Sequence, residues 1–228
     1  MIVPQSVEMT ELRLGSCRVY EVEDHHHVLL PWAKERARLG VPLHILTLDH
    51  HTDTLPAFTH YNENHDRPHA VEGLTPEEAI PDMRHDEHFD FAVRTGLICS
   101  AAIFSHVNFS IGVNPAVTIV HDPPAEDRLE EYYAQVLETE FLRKNLLRAP
   151  LPSGVPYILD IDLDCFKGAA SVQPEDPGLF LELARNAVAV TVSRERDWVR
   201  LLNLDYGRLE YPFFLERLYA LLRQAGGD

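Results

Sequence analysis

The sequence predicts an α/β domain with a mainly parallel central sheet, and three observations carry that prediction. Short apolar runs alternate with amphipathic stretches along the chain, the pattern of strands joined by helical crossovers. The 228 residues are 45% apolar, enough to bury one sizeable core, so a single domain over residues 1–228 is expected. Acids and histidines follow directly after the apolar runs, where open parallel sheets place their active sites.

The elements follow in order. Arg18-Val-Tyr-Glu-Val-Glu23 reads as a strand. Val28 to Leu39 reads as a helix, with Pro31 tolerated in its first turn and Gly40 stopping it. Leu43 to Leu48 is a second strand. Residues 52–90 are polar and proline-rich. They read as a long loop, of the kind that carries function, with one helix opening at Thr75-Pro-Glu-Glu. Leu97 to Phe104 is an apolar run that could be strand or helix, and Ala116 to Val120 is a strand. Ala125 to Arg148 reads as one long helix. It is acidic at its start (Glu126, Asp127, Glu130, Glu131) and basic at its end (Arg143, Lys144, Arg148), as the helix dipole prefers. Its apolar stripe is Leu129, Tyr133, Val136, Leu137 and Phe141. Then come a strand over Tyr157 to Ile161, a helix over Pro177 to Asn186, a strand over Ala187 to Val192 and a closing helix over Pro212 to Gln224.

Composition narrows the function. A formal net charge of −16 argues against a nucleic-acid partner, which needs a basic face, and suits a cationic substrate or bound metal ions. No apolar window is long enough for a membrane span, so no membrane partner is expected. The N-terminus shows no secretory signal. Cys17, Cys99 and Cys165 are widely spaced, with no CxxC pair. A reducing, cytoplasmic setting is therefore expected.

Three strand ends carry the chemistry. After the strand at 43–48 comes Asp49-His-His51-Thr-Asp53, whose alternate residues share one face of an extended segment. Two carboxylates and an imidazole on one face repel one another unless a cation sits between them, and such oxygen and nitrogen donors suit a divalent ion. Asp160-Ile-Asp162-Leu-Asp164 closes the strand at 157–161, where acids without a counter-charge would be costly. Asp24-His25-His26-His27 follows the first strand. Together these segments supply enough ligands for two ions.

These motifs resemble a family. Asp49-x-His51-x-Asp53 resembles the DxHxD signature of the arginase and agmatinase superfamily, the ureohydrolases. Asp160-x-Asp162 resembles their second signature, and Asp24-His25 the Asp-His that precedes both, in the same order. The resemblance implies an arginase-like three-layer sandwich around a mainly parallel central sheet. It extends to a compact branch through Glu23-Asp24-His25 and Leu159-Asp-Ile-Asp-Leu-Asp164. That branch includes peptide arginases, which convert arginine in ribosomally made precursor peptides to ornithine, releasing urea.

The resemblance implies that His25 binds one metal and His51 the other, that Asp49 and Asp160 bridge them, and that Asp53 and Asp162 complete the two sites. The implied cofactors are two Mn²⁺ ions, which activate a water for attack on the guanidinium carbon. Arginases use a downstream histidine as proton shuttle: His65 is the favoured candidate, with His60 and His69 as alternatives. A glutamate after the next strand meets the guanidinium. Glu195 is the candidate and Asp205 the runner-up, while Asp164 is expected to support the ligands from outside. No clasp for a free amino acid is evident, which is compatible with an arginine-containing precursor peptide as substrate. Other readings remain: an agmatinase-like or deacetylase-like amidohydrolase, a phosphatase using Asp160 and Asp162, or a non-catalytic histidine-rich metal-binding protein.

Overall fold

A computed structural model describes residues 7–109, 113–124, 126–205 and 208–227. Its strands are β1 (Met9–Leu14), β2 (Cys17–Val22), β3 (Leu43–Asp49), β4 (Ile98–Ser105), β5 (Val117–Val120), β6 (Tyr157–Asp162) and β7 (Ala189–Ser193). They form one sheet in the order β1-β2-β7-β6-β3-β4-β5. Only the β1–β2 pair is antiparallel; every other neighbouring pair is parallel. Each residue of β3 and β6 is buried, as expected of central strands covered on both faces.

The helices are α1 (Leu29–Leu39), α2 (Thr59–Glu63), α3 (Pro76–Ala79), α4 (His88–Arg94), α5 (Leu129–Ala134), α6 (Thr139–Arg148), α7 (Gly178–Asn186), α8 (Arg196–Leu202) and α9 (Tyr211–Gly226). Leu142 of α6, Phe180 of α7 and Phe214, Leu218 and Leu222 of α9 pack with Leu46, Leu159 and Val190 on one face. Leu29 and Trp32 of α1 and Phe89 and Phe91 of α4 pack with Ile45, Ile103 and Ile158 on the other. Helices therefore cover both faces of the sheet, giving three layers.

Local chemistry explains much of this. Gly40 ends α1 in the left-handed region, at φ 72°, where glycine meets no Cβ penalty. Thr75 and Glu78 form a capping box at the start of α3. The apolar run at 97–104 becomes β4, paired on both sides.

The structure departs from expectation in five places. Met9–Leu14, where no element was expected, forms an edge strand hairpinned onto β2. Three short helices, α2, α4 and α8, lie in stretches without a clear helical pattern. The long helix expected over 125–148 is broken: a 3₁₀ turn at Glu126–Arg128 leads into α5, and α6 restarts at Thr139. The break has a physical cause. Adjacent Val136 and Leu137 are both buried, and Glu138 turns out to accept the backbone N–H groups of Glu175 and Asp176 at 2.7 and 2.9 Å.

Candidate metal centre

The carboxyl ends of β2, β3, β6 and β7 all open on the same side of the sheet, and each is followed or closed by a residue of the candidate centre there. After β2, a single 3₁₀ turn over His25–Val28 places His25 over the ends of β3 and β6. Its Nδ1 lies 2.8 Å from Asp53 Oδ2, 3.3 Å from Asp162 Oδ2 and 3.4 Å from Asp49 Oδ2. Asp53 reaches this position through a left-handed backbone, φ 47°, which a non-glycine residue adopts at a cost. His25 and Asp49 are fully buried, and Asp53 and Asp162 nearly so. One ligand atom from each of these four residues falls within 4.8 Å of the others.

A second group lies beside the first. Asp49, His51 and Asp164 also bring ligand atoms within 4.8 Å of one another. His51 Nδ1 approaches Asp164 Oδ2 to 2.9 Å, but not in hydrogen-bond alignment, since that oxygen has no hydrogen-bond partner among the described residues. Asp49 Oδ2 likewise has none. Donors that converge without bonding one another suit a cation placed between them. Asp49 belongs to both groups, so it is the residue able to bridge two ions.

Electrostatics points the same way. Burial and the neighbouring Asp53 push Asp49 up to about 7. Burial and Asp164 raise Asp162 well above the carboxylate range. Burial alone would lower His51, but Asp164 holds it up at about 9. Buried, crowded carboxylates of this kind favour positive charge placed among them.

Asp160 does not sit where the motif suggested. Cross-strand register places it level with Thr47 and Thr191, one step back from the strand ends. Its carboxylate accepts from Thr47 Oγ1 at 3.2 Å, from Thr191 Oγ1, and lies 2.8 Å from His25 Nε2. Leu48 pairs with Ile161, so Asp49 and Asp162 finish their strands side by side. Beyond Asp162 the chain turns through Leu163–Cys165 and brings Asp164 to His51. The acids facing the cluster are therefore Asp162 and Asp164. Asp160 instead orients His25 from behind, the carboxylate–histidine arrangement common at metal sites.

Glu195 is brought to the centre. It follows β7 in a left-handed conformation, φ 39°, is buried, and accepts the backbone N–H of His25 at 2.7 Å. Burial pushes its carboxyl up to about 8. The expected shuttle His65 is not brought there. It is exposed and stacked on Tyr61, centroids 3.7 Å apart, with Nδ1 on the Tyr61 carbonyl. His60 pairs with Asp86 and His69 with Asp82. Asp205 is exposed and lines a separate cavity of about 240 Å³.

Two histidines absent from the expected set are near the centre. His85 packs on Trp198, which packs on His51, at centroid distances of 5.8 and 5.0 Å. His88 packs on His25 at 4.5 Å. Both come from the stretch that reads as loop, and only the acid-rich Arg84-His-Asp-Glu-His88 spacing hinted at them.

An open cleft of about 1370 Å³ lies beside the centre, lined by Glu195 and Trp198, which contact His25 and His51, and by His85, His26, His27 and His65. Acids prevail at its edge: Glu8, Glu23, Asp24, Asp82 and Asp197 against Arg84 and Arg196.

No known family model and no curated protein sequence matches the chain. Among solved structures it is similar to the proclavaminate amidino hydrolase from Streptomyces clavuligerus, with 17% identity and a TM-score of 0.50. The match covers 92% of this chain and 64% of that one, so this chain spans less than two thirds of that protein's length. Likeness at this identity concerns the fold, and it agrees with the arginase-like sandwich that the motifs imply.

Proposed function

We propose that the protein is a two-metal hydrolase that cleaves the guanidinium of arginine within a peptide, leaving ornithine and releasing urea. The observation that carries this is the pair of ligand groups sharing buried Asp49, beside an acidic cleft whose lining residues Glu195 and Trp198 contact His25 and His51. The donor set fits divalent ions: four carboxylates and two imidazoles, buried, crowded and partly without partners. Such hard oxygen and nitrogen donors suit Mn²⁺. His25, Asp49, Asp53 and Asp162 would hold one ion, and Asp49, His51 and Asp164 the other. Bound there, the ions would supply Lewis acidity and draw the pKa of a bound water toward neutrality.

The chain's own residues do the remainder. Glu195, anchored by His25 N–H, faces the guanidinium, whose positive charge restores the ionised carboxylate that burial disfavours. A paired carboxylate and guanidinium orient the reacting carbon. His85 lines the cleft and burial lowers its pKa. It is therefore neutral near pH 7 and able to accept a proton and deliver it to the leaving amine. The shuttle role considered for His65 passes to His85 in this reading.

Three features support a peptide substrate and this reaction. The cleft exceeds the roughly 300–1,000 Å³ of small-ligand pockets, its edge is acidic, and the similar structure is named for hydrolysis of an amidino group. A ribosomally made precursor peptide is the proposed partner. The three cysteines are unpaired, in keeping with the proposed cytoplasmic setting, and no helix among the described residues is long and apolar enough to cross a membrane.

The test is mass spectrometry of arginine-containing peptides incubated with the protein and Mn²⁺. Hydrolysis removes about 42 Da (CH₂N₂) per arginine, as expected for metal-assisted attack of water on the guanidinium carbon. If free L-arginine is converted as efficiently as every peptide, the peptide assignment fails. If neither changes and no urea appears, guanidinium hydrolysis fails.

A further inference from the structure

Among the buried imidazoles outside the six-residue ligand set, His88 is the one that shares a ligand group with His25 and Asp53. His88 opens α4, is fully buried, and lies against His25, Trp32 and Phe89. Its Nδ1 is 2.8 Å from the carbonyl oxygen of His85. A carbonyl only accepts, so Nδ1 carries the proton and Nε2 is a bare lone pair. That lone pair has no partner among the described residues, an expensive condition for a buried polar atom. A ligand atom of His88 lies within 4.8 Å of ligand atoms on both His25 and Asp53.

We infer that His88 Nε2 is a further ligand of the ion held by His25, Asp49, Asp53 and Asp162, an inference that rests on the two-ion reading above. The bond from Nδ1–H to a backbone carbonyl is the outer contact that fixes the tautomer and direction of a ligating imidazole. The consequence is that the two ions are unequal. One is enclosed by five protein donors, two of them imidazoles. The other has three: shared Asp49, His51 and Asp164. A site closed by protein retains its ion, whereas a site with open positions exchanges ligands. Water and substrate therefore enter at the His51–Asp164 ion, beside Trp198 and the cleft.

The test is equilibrium titration of the metal-stripped full chain with Mn²⁺, followed by calorimetry and by the EPR signal of free Mn²⁺. Wild type should bind two ions in two separable steps. His88→Phe keeps an aromatic ring against Trp32 and Phe89. It should weaken the tighter step by at least about 10-fold, the lower end of what losing even an outer contact costs, and change the weaker step less. His88→Gln, with circular dichroism as a check on folding, should do the same. His51→Ala should weaken the looser step instead. Pulsed EPR of singly loaded wild type, which needs no variant, should show nitrogen couplings from two histidines rather than one. If wild type binds two ions and both His88 variants fold and titrate as wild type does, this inference fails alone. A single-histidine EPR signature has the same consequence. If wild type binds fewer than two ions, the two-ion reading fails and takes this inference with it.

Discussion

Replacing Asp164 and Asp160 in turn separates the two ligand registers that the row of acids at 160–164 permits. Asp164 is 1% exposed, and one of its oxygens lies 2.9 Å from His51 Nδ1. Burial would raise its pKa, yet His51 and Lys167 hold it below the usual carboxylate range, so it stays ionised and ready to ligate. Asp164→Asn removes that charge while preserving shape. A lost charge-assisted contact is worth about 1.5–3 kcal/mol, or roughly 10- to 150-fold in affinity at 1.4 kcal/mol per decade. The loss should fall on one of the two ions. Asp160→Asn acts differently. Thr47, Thr191 and His25 Nε2 all converge on the Asp160 carboxylate, and an amide offers one acceptor oxygen and turns an NH₂ against a donor. His25 then loses its orienting partner, which costs about 10- to 100-fold in affinity, but two ions should still bind when Mn²⁺ is in excess. The assay is metal content by elemental analysis at low and high Mn²⁺, with a titration for each variant. If Asp164→Asn keeps two ions at wild-type affinity while Asp160→Asn loses both, the bridging role belongs to Asp160 after all, and the register argument is refuted.

Other outcomes follow from the same geometry. Asp49→Ala should remove both ions, since Asp49 belongs to both groups; elemental analysis retaining one ion would deny the bridge. Glu195→Gln should lower kcat/KM on an arginine peptide by roughly 10²-fold through loss of a charge-assisted pair and of orientation, with metal content unchanged; full activity would place the guanidinium partner elsewhere. His85→Ala should reduce kcat by about 10²-fold or more, while His65→Ala, stacked on Tyr61 away from the cluster, should stay within about threefold; the reverse pattern in steady-state kinetics would restore His65. The metal-free protein should also show a characteristic melting profile. Asp49 at about 7, Glu195 at about 8 and His51 at about 9 lie above their ordinary 3.8, 4.5 and 6.5, so the folded state holds protons that the unfolded chain has released. Their contribution to stability is lost as pH rises through those values. Buried His26, His88 and His106, lowered by burial, act oppositely and only below about 6.5. Melting temperature without metal should therefore peak near pH 6.5 and fall toward pH 9, and excess Mn²⁺ should suppress the fall; a continued rise to pH 9 would contradict the crowded, protonated cluster.

Much of the centre was legible in the residues themselves, because the signals are local. An apolar run ending in DxHxD places Asp49, His51 and Asp53 at a strand end wherever that strand lies in the sheet, and a tight turn after β2 leaves His25 few other positions. Glu195 was legible in the same way, as the acid just beyond the strand at 189–193. Gly40 and the Thr75–Glu78 box marked helix ends for equally local reasons. Three decisions were not local. Which two of Asp160, Asp162 and Asp164 face the cluster depends on register across β3, β6 and β7 and on the turn after Asp162, and alternation along one strand puts Asp160 and Asp162 on the same face without saying which reaches the edge. Whether residues 125–148 run as one helix depends on Glu138 meeting the backbone at 175–176, some 37 residues away. Which histidines of the 52–90 stretch lie near the centre depends on α4 docking His88 against His25 and on Trp198, from α8, reaching between His85 and His51. Each is a contact between segments distant in the chain, and a side chain's role there is settled by what arrives opposite it in the folded protein.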